Sequence, residues 1–358
     1  MFTIPKARRT GIAEALLAAF SFGVSAPVAK QLLENISPQL LAGLLYLGSG
    51  TGLGALWLMR RAGSAPAEAS LRISDLPVLA TAIGFGGVLA PLFLLVGLQQ
   101  TPASIASLLL NLETVFTASL AWIVFKENVD RRIALGMISI VCGGLILSSA
   151  ETARLTGWIG PVSIAGACLC WGIDNNVTQK VSGRDPVQIA ALKGLSAGAV
   201  NAVLATSLGS QRPDWQSIGA ALLLGFVSYG VSLVLYIRAL RKLGTARTGN
   251  YFSLAPFIGA VVSVALWREP VTLPLLAAGV FMAVGLWLHL TERHTHWHIH
   301  ELIDHEHAHV HDEHHQHEHK PDDPEGEPHS HPHRHDRLEH SHEHYPDVHH
   351  RHNHKDKQ

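Results

Sequence analysis

The chain alternates between long apolar runs and short polar breaks. A helix needs roughly 20 apolar residues to cross the hydrocarbon layer of a membrane. Ten runs reach about that length: 10–32, 37–59, 76–98, 102–125, 132–150, 157–179, 187–208, 216–238, 246–267 and 272–290. Turn and cap chemistry separates them, as at Ser37-Pro38, Thr101-Pro102, Asp185-Pro186 and Arg212-Pro213-Asp214. In lipid every backbone group must be bonded within its own segment, so the runs predict helices. A buried helical core of a soluble protein would carry hydrophilic faces on its outer helices. Ten consecutive segments lack them. The pattern predicts an all-α integral membrane protein of ten transmembrane helices.

The runs repeat. Phe22-Gly23 matches Trp171-Gly172, Lys30 falls near Lys180, and Pro38 falls near Pro186. Phe125-Lys126-Glu127-Asn128-Val129 matches Trp267-Arg268-Glu269-Pro270-Val271 at an offset of 142. Two repeats of five spans follow, at 10–150 and 157–290, after a short N-terminus at 1–9. An odd number of spans per repeat inverts the second relative to the first, an arrangement found in secondary transporters. Lys6, Arg8 and Arg9 ahead of the first run resemble the start of a secretory leader. Pro27, directly after the small residues Val24-Ser25-Ala26, argues against cleavage, and so does the later partner of this run.

Charge sets the expected orientation. Placing the N-terminus inside puts 15 Lys or Arg in internal stretches, against Arg154, Arg212, Arg268 and Lys30 outside. Positive residues gather on the cytoplasmic side, so both termini are expected in the cytoplasm of an inner or plasma membrane protein. Composition changes the picture at one point. All 24 His lie between His289 and His354; residues 1–288 carry a net +8 and residues 289–358 a net −9 with His neutral. A body without His excludes Ser-His or Cys-His nucleophile pairs and an H-E-x-x-H zinc site there. No Gly-Lys dipeptide occurs, so no phosphate-cradling P-loop is present. Cys142, Cys168 and Cys170 sit in apolar runs and read as packing residues, with no disulfide framework. An enzyme is not expected, nor a nucleic-acid partner.

The stretch N-L-E-T-V-F at 111–116 followed by F-K-E-N-V at 125–129, and S-L-A-P-F at 253–257 followed by W-R-E-P-V at 267–271, resemble the drug/metabolite transporter superfamily with two EamA-type repeats. The aromatic-Gly pairs Phe22-Gly23 and Trp171-Gly172 fit as well. The resemblance covers about residues 10–290. Leu112-Glu113-Thr114 stands where the family commonly has Leu-Glu-Pro, and the second half keeps the Pro, in Ala255-Pro256, without the Glu. The resemblance implies a central cavity lined from spans 1, 3, 4, 6, 8 and 9. It also implies a small metabolite or drug-like solute as cargo, alternating access between inverted halves, and no required cofactor.

An ionisable group inside a membrane is costly unless it faces a cavity or a partner. Glu113, about halfway along the fourth run, is the deepest carboxylate, placed to bind a cationic group, carry a proton or tie two helices together. Asp174 and Lys193 read as an electrostatic pair, and Glu14 reaches the interface by snorkelling. Asn111, Asn175, Asn250 and Tyr251 could hydrogen-bond solute or join helices. Trp171 reads as a cavity wall or packing residue. Pro27, Pro91 and Pro256 lie inside spans, where each removes a backbone hydrogen bond and bends the helix, for gating or for packing. Gly48, Gly50, Gly52 and Gly54, with Gly194 and Gly198, make small-xxx-small faces for bundle packing or a homodimer.

Residues 291–358 form a separate segment. Its histidines alternate: His294, His296, His298 and His300; His305, His307, His309 and His311; His329, His331, His333 and His335. Neutral imidazoles at this spacing suit Zn, Ni, Co or Cu(II). Few apolar residues and several prolines predict disorder. The expected protein is a secondary transporter of a small solute with a metal-binding cytoplasmic tail. Two alternatives stand beside it: a divalent metal exporter, and a membrane-anchored metal buffer or sensor.

Overall fold

A computed structural model describes residues 6–62, 69–125, 131–152, 157–181, 184–243, 245–290, 294–300, 303–309, 329–335 and 338–344. The body is helical throughout. The first repeat runs through α1 (Lys6–Gly23), α2 (Ser25–Leu32), α3 (Pro38–Ala62), α4 (Leu76–Ala82), α5 (Ala90–Gln100), α6 (Ala103–Leu109), α7 (Leu112–Phe125) and α8 (Arg131–Thr152). The second runs through α9 (Ile159–Thr178), α10 (Pro186–Ser207), α11 (Trp215–Gly225), α12 (Ser232–Leu243), α13 (Thr245–Phe252), α14 (Ala255–Trp267) and α15 (Leu273–Leu290). Among the described residues, seven helical stretches are long and apolar enough to cross a membrane, from Arg9–Leu32 to Trp215–Ala239. The expected runs 157–179, 246–267 and 272–290 are helical too. Asp174, Asn175 and Asn176 lower the hydropathy of α9, while α14 and the apolar part of α15, Leu273–His289, are shorter than a full crossing.

Five of the expected spans are interrupted. The first breaks at Val24 between α1 and α2, the fourth at Leu110-Asn111 between α6 and α7, and the ninth at Ser253-Leu254 between α13 and α14. The third and eighth each carry a π-helical segment, Ile83–Leu89 between α4 and α5 and Phe226–Val231 between α11 and α12. The interruptions of the third and fourth spans match those of the eighth and ninth, whereas the sixth span, counterpart of the first, is the unbroken helix α9. Pro27, Pro91 and Pro256 each stand in the first turn of the helix that follows an interruption. At Pro27 and Pro256 a missing N–H falls in a first turn that follows a break, where it costs little. Pro91 follows the π-helical segment without a gap, and the carbonyls of Gly86 and Gly87 behind it accept from the side chains of Tyr46, Trp171 and Asn201.

Polar termini are closed by caps. Asp185 accepts from Val187 N at 2.9 Å and opens α10. Asp214 accepts from Ser217 N at 2.9 Å and Ser217 Oγ at 2.7 Å and opens α11. The Ser217 hydroxyl, with its backbone N–H, holds the Asp214 carboxyl below the usual carboxylate range. Close helix approach uses the glycines. A Cβ on Gly194 would stand 2.7 Å from Gly50 Cα, one on Gly198 2.6 Å from Leu47 N, and one on Gly43 2.8 Å from Ala202 N. These glycines join α3 to α10, one helix from each repeat. Gly48 and Gly52 meet α11 and Phe226 in the same way. The small-residue faces are thus occupied inside the bundle.

Of the tail, the described stretches form β1 (His294–His300), β2 (Ile303–His309), β3 (His329–His335) and β4 (Leu338–His344). β1 pairs antiparallel with β4, and β2 with β3. The physical reason is the strict two-residue alternation, which is the period of a strand and gives each segment two chemically distinct faces. His311 lies outside the described residues.

If the α3–α10 approach holds the repeats together, Gly194→Ala should lower the thermal midpoint of the detergent-solubilised protein. Overpacking of this kind costs about 1–3 kcal/mol. Gly54→Ala, whose Cβ would meet only Leu195 Cδ1 at 3.9 Å, should leave the midpoint where it is.

Candidate functional site

The two motif stretches that the repeat relates come together. Leu110, Asn111, Glu113 and Thr114 from the α6–α7 break face Phe252, Ser253, Ala255 and Pro256 from the α13–α14 break across an open-sided cavity of about 120 Å³. Phe22, just before the break in the first span, and Leu286 complete its lining. Three interrupted spans therefore meet at one site.

The α6–α7 break is self-satisfied. Asn111 is buried and donates from Nδ2 to Leu108 O at 2.8 Å. The Cys168 thiol donates to Leu109 O at 3.6 Å. Glu113 N reaches Leu110 O at 3.0 Å, tightening the start of α7. Glu113 occupies the first turn of α7, where the helix dipole favours a carboxylate. Its Oε1 accepts from Asn175 Nδ2 at 2.8 Å, and Asn175 also approaches Thr117 Oγ1 at 3.4 Å. Asn175 is exposed and Glu113 half-buried, so the pair is accessible. A carboxylate beside two amides and two aromatic rings can receive a cationic or hydrogen-bonding solute with an apolar portion.

The other predicted residues fall elsewhere. Asp174 and Trp171 are on the side of α9 that meets the first repeat. Asp174 pairs with Lys193 Nζ from α10 and accepts from Thr178 Oγ1 at 3.0 Å. Trp171 Nε1 and Tyr46 Oη both donate to Gly86 O, at 3.2 and 2.7 Å. Gly86 lies in the π-helical segment, and any side chain on it would strike the Asp174 carboxylate. This is a second polar cluster, packed between α3, α9, α10 and the π-helical segment and separate from the cavity lining. Tyr251 packs beside Ala15, Ala239 and Leu243. Asn250 is on α13, with its side chain outside the described residues.

The cavity is closed at one end. There α6 packs along α14, and Trp267 Nε1 donates to Pro27 O at 3.2 Å. Lys30 Nζ donates to Leu98 O and to Thr101 O, the latter at 3.0 Å, closing the carboxyl end of α5. Glu269 Oε1 and Oε2 accept from Ala103 N and Ser104 N, both at 2.8 Å, closing the amino end of α6. Arg268, in the left-handed conformation with φ 51°, makes the turn that delivers Glu269. The W-R-E-P-V stretch served as a repeat marker in the sequence, and its capping role was not foreseen. The signal was there: a lone acid after a helix end, beside a proline. The matching Lys126–Asp130 segment lies outside the described residues.

At the other end the two spans part. Beyond the breaks α7 packs on α9 and α8, while α13 packs on α1 and α12. Among the described residues no packed α7–α13 interface forms. Among the described residues, ion pairs join the repeats at this end, from Arg238 Nη2 to Glu14 Oε1 at 2.9 Å and from Arg184 Nε to Asp75 Oδ2 at 3.0 Å.

This architecture has known counterparts. Residues 9–149 and 158–291 match the EamA-like transporter family, and the chain belongs to it. It is an integral, multi-pass membrane protein of a family that transports small solutes. An "uncharacterized transporter" of Methanothermobacter thermautotrophicus is 26% identical over 297 residues, covering 78% of this chain and 86% of its own. A "probable amino-acid metabolite efflux pump" of Salmonella typhimurium is 25% identical over 294 residues, covering 77% and 93%. A solved crystal structure, 18% identical, shares the fold with a TM-score of 0.57 over 80% of this chain and 96% of its own.

The Asp174–Lys193 pair should act as structure. Breaking a buried pair from one side typically costs about 3–5 kcal/mol. Asp174→Leu and Lys193→Met should each lower the thermal midpoint sharply, and the double variant should recover part of the loss. Equal, additive losses would show that the two groups work apart.

Proposed function

We propose that the chain is a ten-span secondary transporter that moves a small organic solute bearing a cationic or amide group. Its cavity would lie between the interrupted fourth and ninth spans. The observation that carries this reading is the meeting of two helix breaks at one cavity, with Glu113 in the first turn of α7. Discontinuous helices whose ends face a cavity are a recurrent way to bind solute within a membrane. The name of the Salmonella relative supports a metabolite as cargo. No cofactor is assigned to the body; Zn, Ni, Co or Cu ions would bind on the tail.

Alternating access follows from the asymmetry of the two ends. In this conformation the cavity is sealed where Lys30 and Glu269 cap the α5–α6 corner, and open where α7 and α13 part. The bias of basic residues places Arg184, Arg238 and Arg247 in the cytoplasm, so the open end faces inward. Opening the other side requires α6 and α14 to separate, with release of the Glu269 caps. A metal as cavity cargo is disfavoured, because the lining offers one carboxylate and no His or Cys. The histidine tail favours a second reading, a membrane-anchored metal buffer, which predicts no solute flux at all.

Reconstitution in vesicles loaded with amino acids and related amines tests the main reading. Wild-type protein should exchange at least one of them. Glu113→Gln, which keeps the shape and the hydrogen bond to Asn175 while removing the charge, should cut exchange at least tenfold with unchanged insertion. Wild-type rates across pH in that variant would place Glu113 among the structural residues.

Topology is tested on intact cells. A cysteine introduced by Gln211→Cys should react with a membrane-impermeant maleimide from outside. One introduced by Lys357→Cys should react only after permeabilisation. Labelling of the tail from outside would reverse the orientation.

A further inference from the structure

One wall of the cavity is aromatic, and its rings belong to a connected set. Phe22, in the last turn of α1, and Phe252, the last residue of α13, both line the cavity that Glu113 lines. Their ring centroids are 5.5 Å apart, with the planes tilted by 43°. Each ring also meets a tyrosine of the second repeat. Tyr229, in the π-helical segment of the eighth span, lies 5.6 Å from Phe22 at 74°, and Tyr236 of α12 lies 5.0 Å from Phe252 at 67°. Tyr229 is in turn 5.8 Å from Tyr46, whose hydroxyl donates to Gly86 O. Edge-on and tilted contacts are the preferred geometry of aromatic pairs, so the two cavity rings are held in place rather than left to rotate. The amide donors nearest the carboxylate are committed, Asn111 Nδ2 to Leu108 O and Asn175 Nδ2 to Glu113 Oε1. A solute carbonyl finds those donors occupied, whereas a cation finds a carboxylate and two rings.

We propose that the cavity selects N-methylated ammonium head groups, with Phe22 and Phe252 as the specificity-determining residues and Glu113 as the counter-charge. This deepens the solute reading above and rests on it. A primary ammonium carries three N–H donors. Those turned toward the rings, Leu110 or Leu286 would lose water without a full replacement, which is costly. A methylated head group spreads its charge over C–H surface and needs no directed acceptors. An aromatic ring within about 6 Å attracts such a cation, and the attraction grows once water is excluded. The carboxylate acts on the same charge at short range, where a low dielectric strengthens it. Size agrees. The cavity of about 120 Å³ is well below the about 300–1,000 Å³ of pockets that hold drug-sized ligands. It seats a compact head group, and its open side leaves the rest of the solute to extend toward the parting of α7 and α13. Phe22 belongs to the first repeat and Phe252 to the second, so one head group is held by both halves at once.

The test uses three probes of closely matched skeleton, titrated by calorimetry into the full-length, detergent-purified chain. Choline carries a trimethylammonium head, ethanolamine a primary ammonium, and 3,3-dimethylbutan-1-ol is the neutral isostere of choline. Wild-type protein should bind choline about tenfold or more tightly than either of the others. Phe22→Leu and Phe252→Leu keep an apolar side chain and remove the ring. Each should weaken choline about 2- to 30-fold and change ethanolamine less. Phe252→Tyr, which keeps the ring, should retain the preference. Equal binding of choline and ethanolamine by the wild-type chain, or equal binding of choline and its neutral isostere, would overturn head-group selection without recourse to any variant. Parallel losses of choline and ethanolamine in the leucine variants would assign the rings to packing and overturn it as well. Vesicle exchange of another amine or amide, with no choline binding, would overturn this proposal and leave the solute-transport reading standing. Absence of any exchange would overturn that reading itself.

Discussion

The constraint on which the rest of this structure depends is the satisfaction of backbone hydrogen bonds without water. A helix may be interrupted within a membrane only where other protein groups receive the freed N–H and C=O groups, or where the gap opens to a water-filled cavity. The break at Leu110-Asn111 meets that condition in both ways. Asn111 and Cys168 donate to the carbonyls of Leu108 and Leu109, and the side of the break that carries Glu113 opens to the cavity. Without those donors the fourth span would have to be continuous, and Glu113 would lie in the middle of a helix rather than at the start of one. The position of the acid, and the partial positive charge it meets there, are therefore consequences of how the break is satisfied.

The same constraint explains the exchange of caps between repeats. At the sealed end the chain must turn between α5 and α6 within two residues, leaving carbonyls on one side and N–H groups on the other. Lys30 of the first repeat answers the carbonyls, and Glu269 of the second answers the N–H groups. Each cap carries the charge that complements the helix end it meets. Because Glu269 comes from the other repeat, the seal joins the two halves. Any conformation that opens this end must either carry the turn along with the α14–α15 connection or leave two N–H groups to water. Caps of this kind bias the resting state without blocking the transition, since water can replace the carboxylate once the end is wet.

Much of the fold was legible in the sequence, and the reason is periodicity. Apolar runs of spanning length and the two related motif pairs locate the helices and the repeats, and Pro27, Pro91 and Pro256 mark three of the five interruptions. The site was legible in part. Asn111 and Glu113 line the cavity, and Asn175 reaches it through Glu113. Trp171 and Asp174 are within four residues of Asn175 in sequence, yet their polar atoms meet Gly86 and Lys193 rather than Glu113. A single sequence shows that polar residues cluster in a span. Which neighbour each one faces depends on helix rotation, set here by the approach of α9 to the Gly86 segment. The π-helical segments were not legible, because no residue type demands them. Gly86 and Gly87 permit close packing and leave the hydrogen-bond pattern undecided.

The tail shows a related limit. Low hydrophobicity predicted disorder because no apolar face is available to offset the entropy of ordering. Alternation adds what composition omits. A strand of alternating histidine presents the same ligand at every second position, so its ordering can draw on metal coordination instead of burial, as small metal-dependent domains do.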